Sequence, residues 1–361
     1  MTETTQAPTR GPNWKQVGLF LGVTFALTYL LDLILYLTVG YSQQVGTLLM
    51  LQLQMLLPAA VAIALQLFVF RDSPIYRTQE RTRWFFYFYL TFTALFVLFS
   101  VVGVTIENAA LQSILSLLPT VLSVLGLGVV VVLRLVAGKD EFQRAGLKGG
   151  KLVHYLLFGV AIVLVYYVMT FLNSLFELGQ TADVNALMVQ AGVPEGTIPP
   201  GLFLLAVGFQ NILLAPILGL LIAFGEEYGW RGYLQGELIR MGKVKGIALV
   251  GVIWGLWHAP IIMMGHNFPG YPGWGVVAMT LYCIGLAFFL GYAVLKTGSV
   301  WLAAFLHALN NSVASFLMVL VYMPNDPMFS FGVGIYSLAV WALVIGALFV
   351  LDRKAWFGAA E

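Results

Sequence analysis

The sequence predicts an all-α fold, a polytopic membrane bundle of about eight to ten transmembrane helices, on three observations. First, 60% of the 361 residues are hydrophobic and only 9% are charged, against about 25% charged in a typical soluble domain. Second, the apolar residues fall in long blocks, and about 20 apolar residues as helix cross a bilayer. Third, all 18 Lys and Arg fall on one side when the chain is threaded through ten passes.

The ten blocks are roughly 15–39, 46–70, 84–106, 111–133, 152–176, 202–224 with room to run on through its glycines, 247–264, 274–295, 299–323 and 330–351. Short or merged helices would reduce the number to eight or nine. The first follows a polar tail, 1–13, and is too long for a signal-peptide core, so it reads as a retained helix. The second ends at Arg71, and the third opens on the aromatics of Trp84 to Tyr89, which read as an interfacial belt and lipid-facing surface. The fourth is the least distinct. The stretch from Arg134 to Lys151 introduces the fifth. The sixth follows the longest opposite-side loop, about 178–201, with Pro194, Pro199 and Pro200. The seventh contains Pro260, Lys296 separates the eighth from the ninth, and Arg353 and Lys354 follow the tenth.

The basic residues begin with Arg10 and Lys15 and include Arg231, Arg240, Lys243 and Lys245 after the sixth block. The opposite loops hold only acids: Glu107, Glu177, Asp183, Glu195 and Asp326. The positive-inside rule then places both termini in the cytoplasm of a multi-pass cell-membrane protein. No basic cluster of the kind that grips nucleic acid is present. Cys283 is the single cysteine, so no intrachain disulfide forms. There is no internal repeat and no second soluble domain.

The most informative feature is a pair of carboxylates, Glu226 and Glu227, that ends the uncharged run Gly201 to Phe224. A carboxylate near hydrocarbon costs several kcal/mol, on the order of 3 on insertion scales, so its position implies a use. Glu227 and Arg231 are four apart with the acid first, which suits an ion pair. Glu226 then points about 100° away, free for another task. His258 and His307 lie inside apolar blocks. Trp254 shares a helix face with His258, and Asn311 with His307. Measured from Arg240, Lys245 and Lys296, the residues Glu226, His258 and His307 lie roughly 17–21 Å along their helices. They are expected to meet at one depth, near the middle of the membrane, in a site open toward the cytoplasmic half. Gly225 with Gly229, and Gly232 with Gly236, form small-xxx-small pairs that let helices approach closely. Pro260 frees a carbonyl near His258.

A glutamate, two histidines and an asparagine at one level suit hydrolysis. The glutamate takes a proton from water, a histidine orients that water or protonates the leaving amine, and Asn and His donate to an oxyanion. The same Glu226, His258 and His307 could instead hold a metal such as zinc with one position open. Each residue alone has a plainer reading: the histidines as interhelical hydrogen bonders, Glu227–Arg231 as a strut, Asp32 as polar glue, His154 and His266 as interfacial. The alternatives for the whole chain are a proton-coupled transporter and a non-enzymatic immunity or scaffold protein.

These residues resemble the CPBP family of intramembrane proteases, also called the Abi or type II CAAX protease family. Its EExxxR motif is matched by Glu226, Glu227 and Arg231. Its aromatic residue four before a histidine is matched by Trp254 and His258, with Trp where Phe is the more familiar form. Its HxxxN motif is matched by His307 and Asn311. The likeness covers roughly 200–315 and is of the prokaryotic type, for which prenyl processing is not implied. It implies an endopeptidase acting on membrane-associated proteins or peptides in the lipid bilayer. Glu226 would be the water-activating base assisted by His258. His307 and Asn311 would stand at the oxyanion, or His307 would be a metal ligand if a metal is used. Glu227 and Arg231 would support them. The implied organisation is the tail 1–13, helices of unassigned role over 14–200, a catalytic core over 201–323, and a last helix and tail over 324–361.

Overall fold

The computed structural model describes residues 11–42, 44–106, 108–194 and 196–358. Arg10, Glu107, Glu195 and the first ten residues of the tail lie outside the described residues. Among the described residues, eight helices are long and apolar enough to cross a membrane. The first five are α1 (Trp14–Thr38), α2 (Val45–Val69), α3 (Glu80–Thr105), α4 (Ala109–Ala137) and α5 (Leu152–Leu175). The sixth, α6 (Pro200–Leu218), is followed after Gly219 by α7 (220–241). Next come α8 (Lys243–Trp257) and the single turn α9 (Ala259–Met263). The remaining two long spans are α10 (Pro272–Thr297) and α11 (Val300–Val321). A shorter apolar helix, α12 (Ser337–Leu351), ends the bundle.

The sequence-predicted blocks map onto these helices with three differences. The fourth block is a full helix, extended at both ends. The sixth runs on well past 224, the continuation its glycines allowed, and α6 and α7 together run about twice the thickness of the hydrocarbon core. The last block is helical only from Ser337, because residues 325–336 are occupied by turns.

Helices in a membrane are held by close packing and interhelical hydrogen bonds, since lipid is as apolar as leucine. The centre of this packing is α7, between α2 and α11. A side chain at Gly225 would fall on the backbone of Met55 and Leu56, and one at Gly229 on Pro58. The first glycine pair therefore brings α2 and α7 into backbone contact, running in the same direction. The second expected pair does not behave alike: Gly232 meets only the side chains of Val300 and Tyr228, and Gly236 faces open space. An unanticipated pair, Gly251 and Gly255, lets α8 close onto Ile284 and Thr280 of α10.

The aromatic run of α3 is not mainly a lipid-facing belt. Phe85, Phe86 and Tyr89 are fully buried, and only Trp84 and Tyr87 are exposed. Their spacing continues through Phe92 and Phe96 on one helical face, which packs onto α7 and α11. Phe85 meets Phe224 and Trp301 edge-on, and Phe224 stacks on Trp301 at 4.3 Å.

The two ends of the bundle differ in charge. At one end Asn13 donates its backbone N–H to Glu237 (2.9 Å), and Lys296 pairs with Asp352 (2.6 Å). Lys296 and Tyr292 hold the Asp352 carboxyl below the usual carboxylate range. At the other end strands β1 (Gly179–Thr181) and β2 (Tyr322–Pro324) pair antiparallel, and Tyr271 donates to Asp326 (2.7 Å). One residue leaves the basic set. Arg231 is not in a loop but buried beside Glu227 inside the bundle.

Candidate active site

Glu226 and Glu227 end the regular part of α7, Leu220–Glu227, and the chain continues as a wider π-helical turn over Tyr228–Leu234. Such turns inside α-helices occur frequently at functional sites. Glu226, Glu227, Arg231 and His307 are all buried, with exposures of 2, 0, 2 and 4%.

Glu227 is engaged through one oxygen, while its Oε2 is buried without a hydrogen-bond partner among the described residues. Its Oε1 accepts from Arg231 Nη1 (3.0 Å) and from His307 Nδ1 (2.8 Å). Because the carboxylate accepts, His307 carries its proton on Nδ1 here, which leaves Nε2 as the other working nitrogen. The Arg231 guanidinium also lies 4.2 Å over the indole of Trp254, a cation–π contact.

Glu226 is held differently. Its Oε2 accepts from Trp254 Nε1 at 2.6 Å. No described residue hydrogen-bonds its Oε1, and Glu226 lines a cavity of about 350 Å³. Trp254 thus touches both acids' environments, by its N–H and by its ring face. The sequence marked it only as an aromatic on the His258 face.

His258 ends α8. Its backbone N–H turns to Gly255 (3.1 Å) instead of Trp254, and Nδ1 then donates to the Trp254 carbonyl (2.8 Å). Pro260, with no N–H, leaves the Leu256 carbonyl free in turn, and Tyr29 of α1 donates to it (2.8 Å). The kink between α8 and α9 therefore sets the His258 tautomer: Nδ1 protonated, Nε2 unprotonated.

Glu226, His258, His307 and Asn311 all line the one cavity, as the depth argument anticipated. Glu227 and Arg231 stand behind it. Asn311 Oδ1 accepts from the Asn310 amide (3.1 Å), which leaves the Asn311 NH₂ group to the cavity. Asn310 is itself fixed by Tyr166 and Tyr282, whose hydroxyls stand 2.9 and 3.1 Å from its Oδ1 and 2.7 Å from each other. Two hydroxyl protons serve these three contacts. Asn310, Tyr166 and Tyr282 had no sequence signal, because each lies on a different helix or turns from the His307 face.

Further wall residues come from outside the motifs. Gln54 of α2 lines the cavity and hydrogen-bonds Asp32 of α1. Asp32 thereby acts across two helices as the polar glue expected of it. His266, expected at the interface, lines the cavity and pairs with Tyr41 at 2.9 Å. His154 lies elsewhere and does not contribute. The direction of the cavity corrects another expectation. From Glu226 it extends toward Leu51, His266, Asn267 and Val333, at the end that carries β1, β2 and Asp326. It does not extend toward the basic end.

Among the described residues, no three His, Cys, Asp or Glu side chains stand close enough to ligate one ion. Glu226, His258 and His307 share a cavity wall.

The fold and site define an integral membrane protein with an acid–histidine–asparagine centre buried among its helices. Residues 208–313, which include every one of these motif residues, match the family described as type II CAAX prenyl endopeptidase Rce1-like. The match agrees with the resemblance to the CPBP, or type II CAAX protease, family that the motifs carry, and it is confined to this part of the chain. Over 150 residues the chain is 27% identical to CAAX prenyl protease 2 of Methanococcus maripaludis, which covers 39% of this chain and 52% of that protein. The chain thus spans about half the length of the curated relative it matches.

Proposed function

We propose that this protein is an intramembrane endopeptidase that hydrolyses peptide bonds of membrane-associated proteins or peptides with water activated by Glu226. The observation that carries this reading is the division of labour in the Glu226 carboxylate. One oxygen is fixed by Trp254 and the other is left to a cavity shared with His258, His307 and Asn311.

In this mechanism Glu226 removes a proton from water as the water oxygen bonds to the scissile carbonyl carbon. His258 Nε2 accepts the second water hydrogen and orients the attack. The Asn311 NH₂ group donates to the developing oxyanion, and His307 joins it from Nε2 when the ring is protonated on both nitrogens. The C–N bond then breaks as Glu226 returns its proton to the leaving amine. Glu227 and Arg231 keep His307 oriented without touching substrate. The catalytic unit is the segment 201–323, completed by the wall that α2 provides.

If the basic end faces the cytoplasm, as the positive-inside rule directs, the cavity faces the opposite side. Substrate would then arrive laterally or from the non-cytoplasmic face, carried by a membrane anchor.

Glu226→Gln retains size and a hydrogen-bond acceptor for Trp254 but removes the base. It should lower cleavage of membrane-anchored peptides by about 10²–10⁴-fold, read by mass spectrometry on protein in nanodiscs, with an unchanged thermal midpoint. Undiminished turnover by the purified variant would sink the proposal. Proton flux in liposomes without any cleavage would favour a carrier instead. Chelation divides two forms of the chemistry. Activity that survives EDTA supports the route above. Loss restored by zinc would mean that Glu226, His258 and His307 close on an ion.

A further inference from the structure

At the basic end, away from the active site, the connection between α4 and α5 folds into a cleft of about 140 Å³. Its lining includes Arg134, Lys139, Lys148 and Lys151 and no carboxylate. Among the described residues none of these four cations forms a salt bridge. The nearby Glu141 is taken by Arg144, and Asp140 does not line the cleft. Gly138 and Gly150, at φ +90° and +77°, turn the chain so that cations from both ends of the connection face one space. Ordinary residues rarely adopt that backbone conformation. Among the described residues, the backbone N–H groups of Lys148, Gly149, Gly150 and Lys151 find no acceptor, and the first turn of α5 has no side-chain cap.

A general bias of positive charge on one membrane face would scatter cations over that face. Here four converge, unneutralised, on one cavity with free amide donors, where two spans meet the membrane surface. The volume suits a phosphate group with little water, since one water occupies on the order of 30 Å³. Basic pockets between transmembrane helices bind anionic headgroups in this way.

We propose that this cleft binds a phosphate-bearing anion at the membrane surface, as the headgroup of an anionic phospholipid or as free phosphate. Lys148, with Nζ beside Gly298, and Gly150, against Ser299, bring the cleft onto the N-terminus of α11, the helix that carries His307.

The test uses full-length protein in phosphatidylcholine nanodiscs. Affinity for added phosphatidylglycerol is measured by native mass spectrometry and thermal shift, with inorganic phosphate as a separate arm. Two variants, Lys148→Gln/Lys151→Gln and Arg134→Gln/Lys139→Gln, remove charge from opposite walls, so a folding defect in one leaves the other. The pair Arg353→Gln/Lys354→Gln removes equal charge elsewhere on the same end. At about 1 kcal/mol per cation, each cleft variant should weaken binding on the order of 30-fold, and the control should not. Binding of inorganic phosphate with the same variant sensitivity and no preference for lipid supports the site with free phosphate as its source. Absence of binding to either anion, unchanged affinity in the folded cleft variants, or an equal loss in the control pair would overturn the proposal.

Discussion

At Trp254 three interactions meet on one indole. The N–H holds Glu226, the ring face carries Arg231, and the ring edge approaches His307 at 5.5 Å between centroids. Trp254→Phe keeps the face and the bulk but removes the donor. A hydrogen bond to a charged group is worth about 1.5–3 kcal/mol. If the bond orients Glu226 for reaction, kcat should fall by roughly 10–150-fold while the protein still folds, measured as turnover at saturating substrate. Arg231 differs in kind. Arg231→Ala leaves Glu227 buried without its cation, and breaking such a pair costs about 3–5 kcal/mol. Denaturation in detergent should show that loss, and Glu227→Gln combined with Arg231→Met should recover much of it. The separate surroundings of Glu226 and Glu227 were legible in the sequence, because a four-residue spacing pairs only one of them with Arg231. Trp254 as a donor was not legible. Helical periodicity gives the face of a side chain but not the neighbour from another helix.

Among the helices, α8 shows how one residue type shapes a site it does not enter. Pro260 withholds a donor, so the helix ends at His258, and the carbonyls of Trp254 and Leu256 pass to a histidine ring and to Tyr29. Pro260→Ala would let an N–H compete for the Leu256 carbonyl. Its expected effect is a lower rate with KM nearly unchanged. Tyr29→Phe would leave that carbonyl without its donor and destabilise the protein by about 1–3 kcal/mol. The free carbonyl near His258 was readable from Pro260 alone. Its partner was not, since Tyr29 lies more than two hundred residues away in sequence. The buried side of α3 was misjudged for a related reason. In a membrane both faces of a helix are apolar, so hydrophobicity does not separate Phe85 from Trp84.

Over the whole molecule the charge pattern fixes two ends, and the cavity extends from mid-depth toward the less basic one. Sequence reasoning located the depth of the site because the charged markers at helix ends count residues along each helix. That the cavity extends toward the less basic end was not legible, because the wall residues Leu51, His266 and Val333 carry no charge pattern. The sole cysteine, Cys283, is buried, so Cys283→Ala gives a background for site-directed labelling. A membrane-impermeant maleimide added to intact cells should label Asn325→Cys and spare Lys148→Cys. The reverse pattern would place the cavity mouth in the cytoplasm. At the basic end the Lys296–Asp352 tie should persist at neutral pH. A depressed carboxyl keeps its stabilising charge above the ordinary carboxylate range and loses it only as pH falls through the lowered value.

The shared indole also has a consequence for descent. A lineage that replaces Trp254 by phenylalanine must find Glu226 another donor, and one that alters Arg231 must remake the ring face it rests on. Positions 226, 231, 254 and 307 should therefore change as a set among relatives, with substitution at 254 accompanied by a new polar residue on α2 or α10 facing Glu226. Reconstructing intermediates between Trp-bearing and Phe-bearing members would show whether that donor precedes the loss of the indole. An intermediate active with phenylalanine at 254 and no replacement donor would break the linkage.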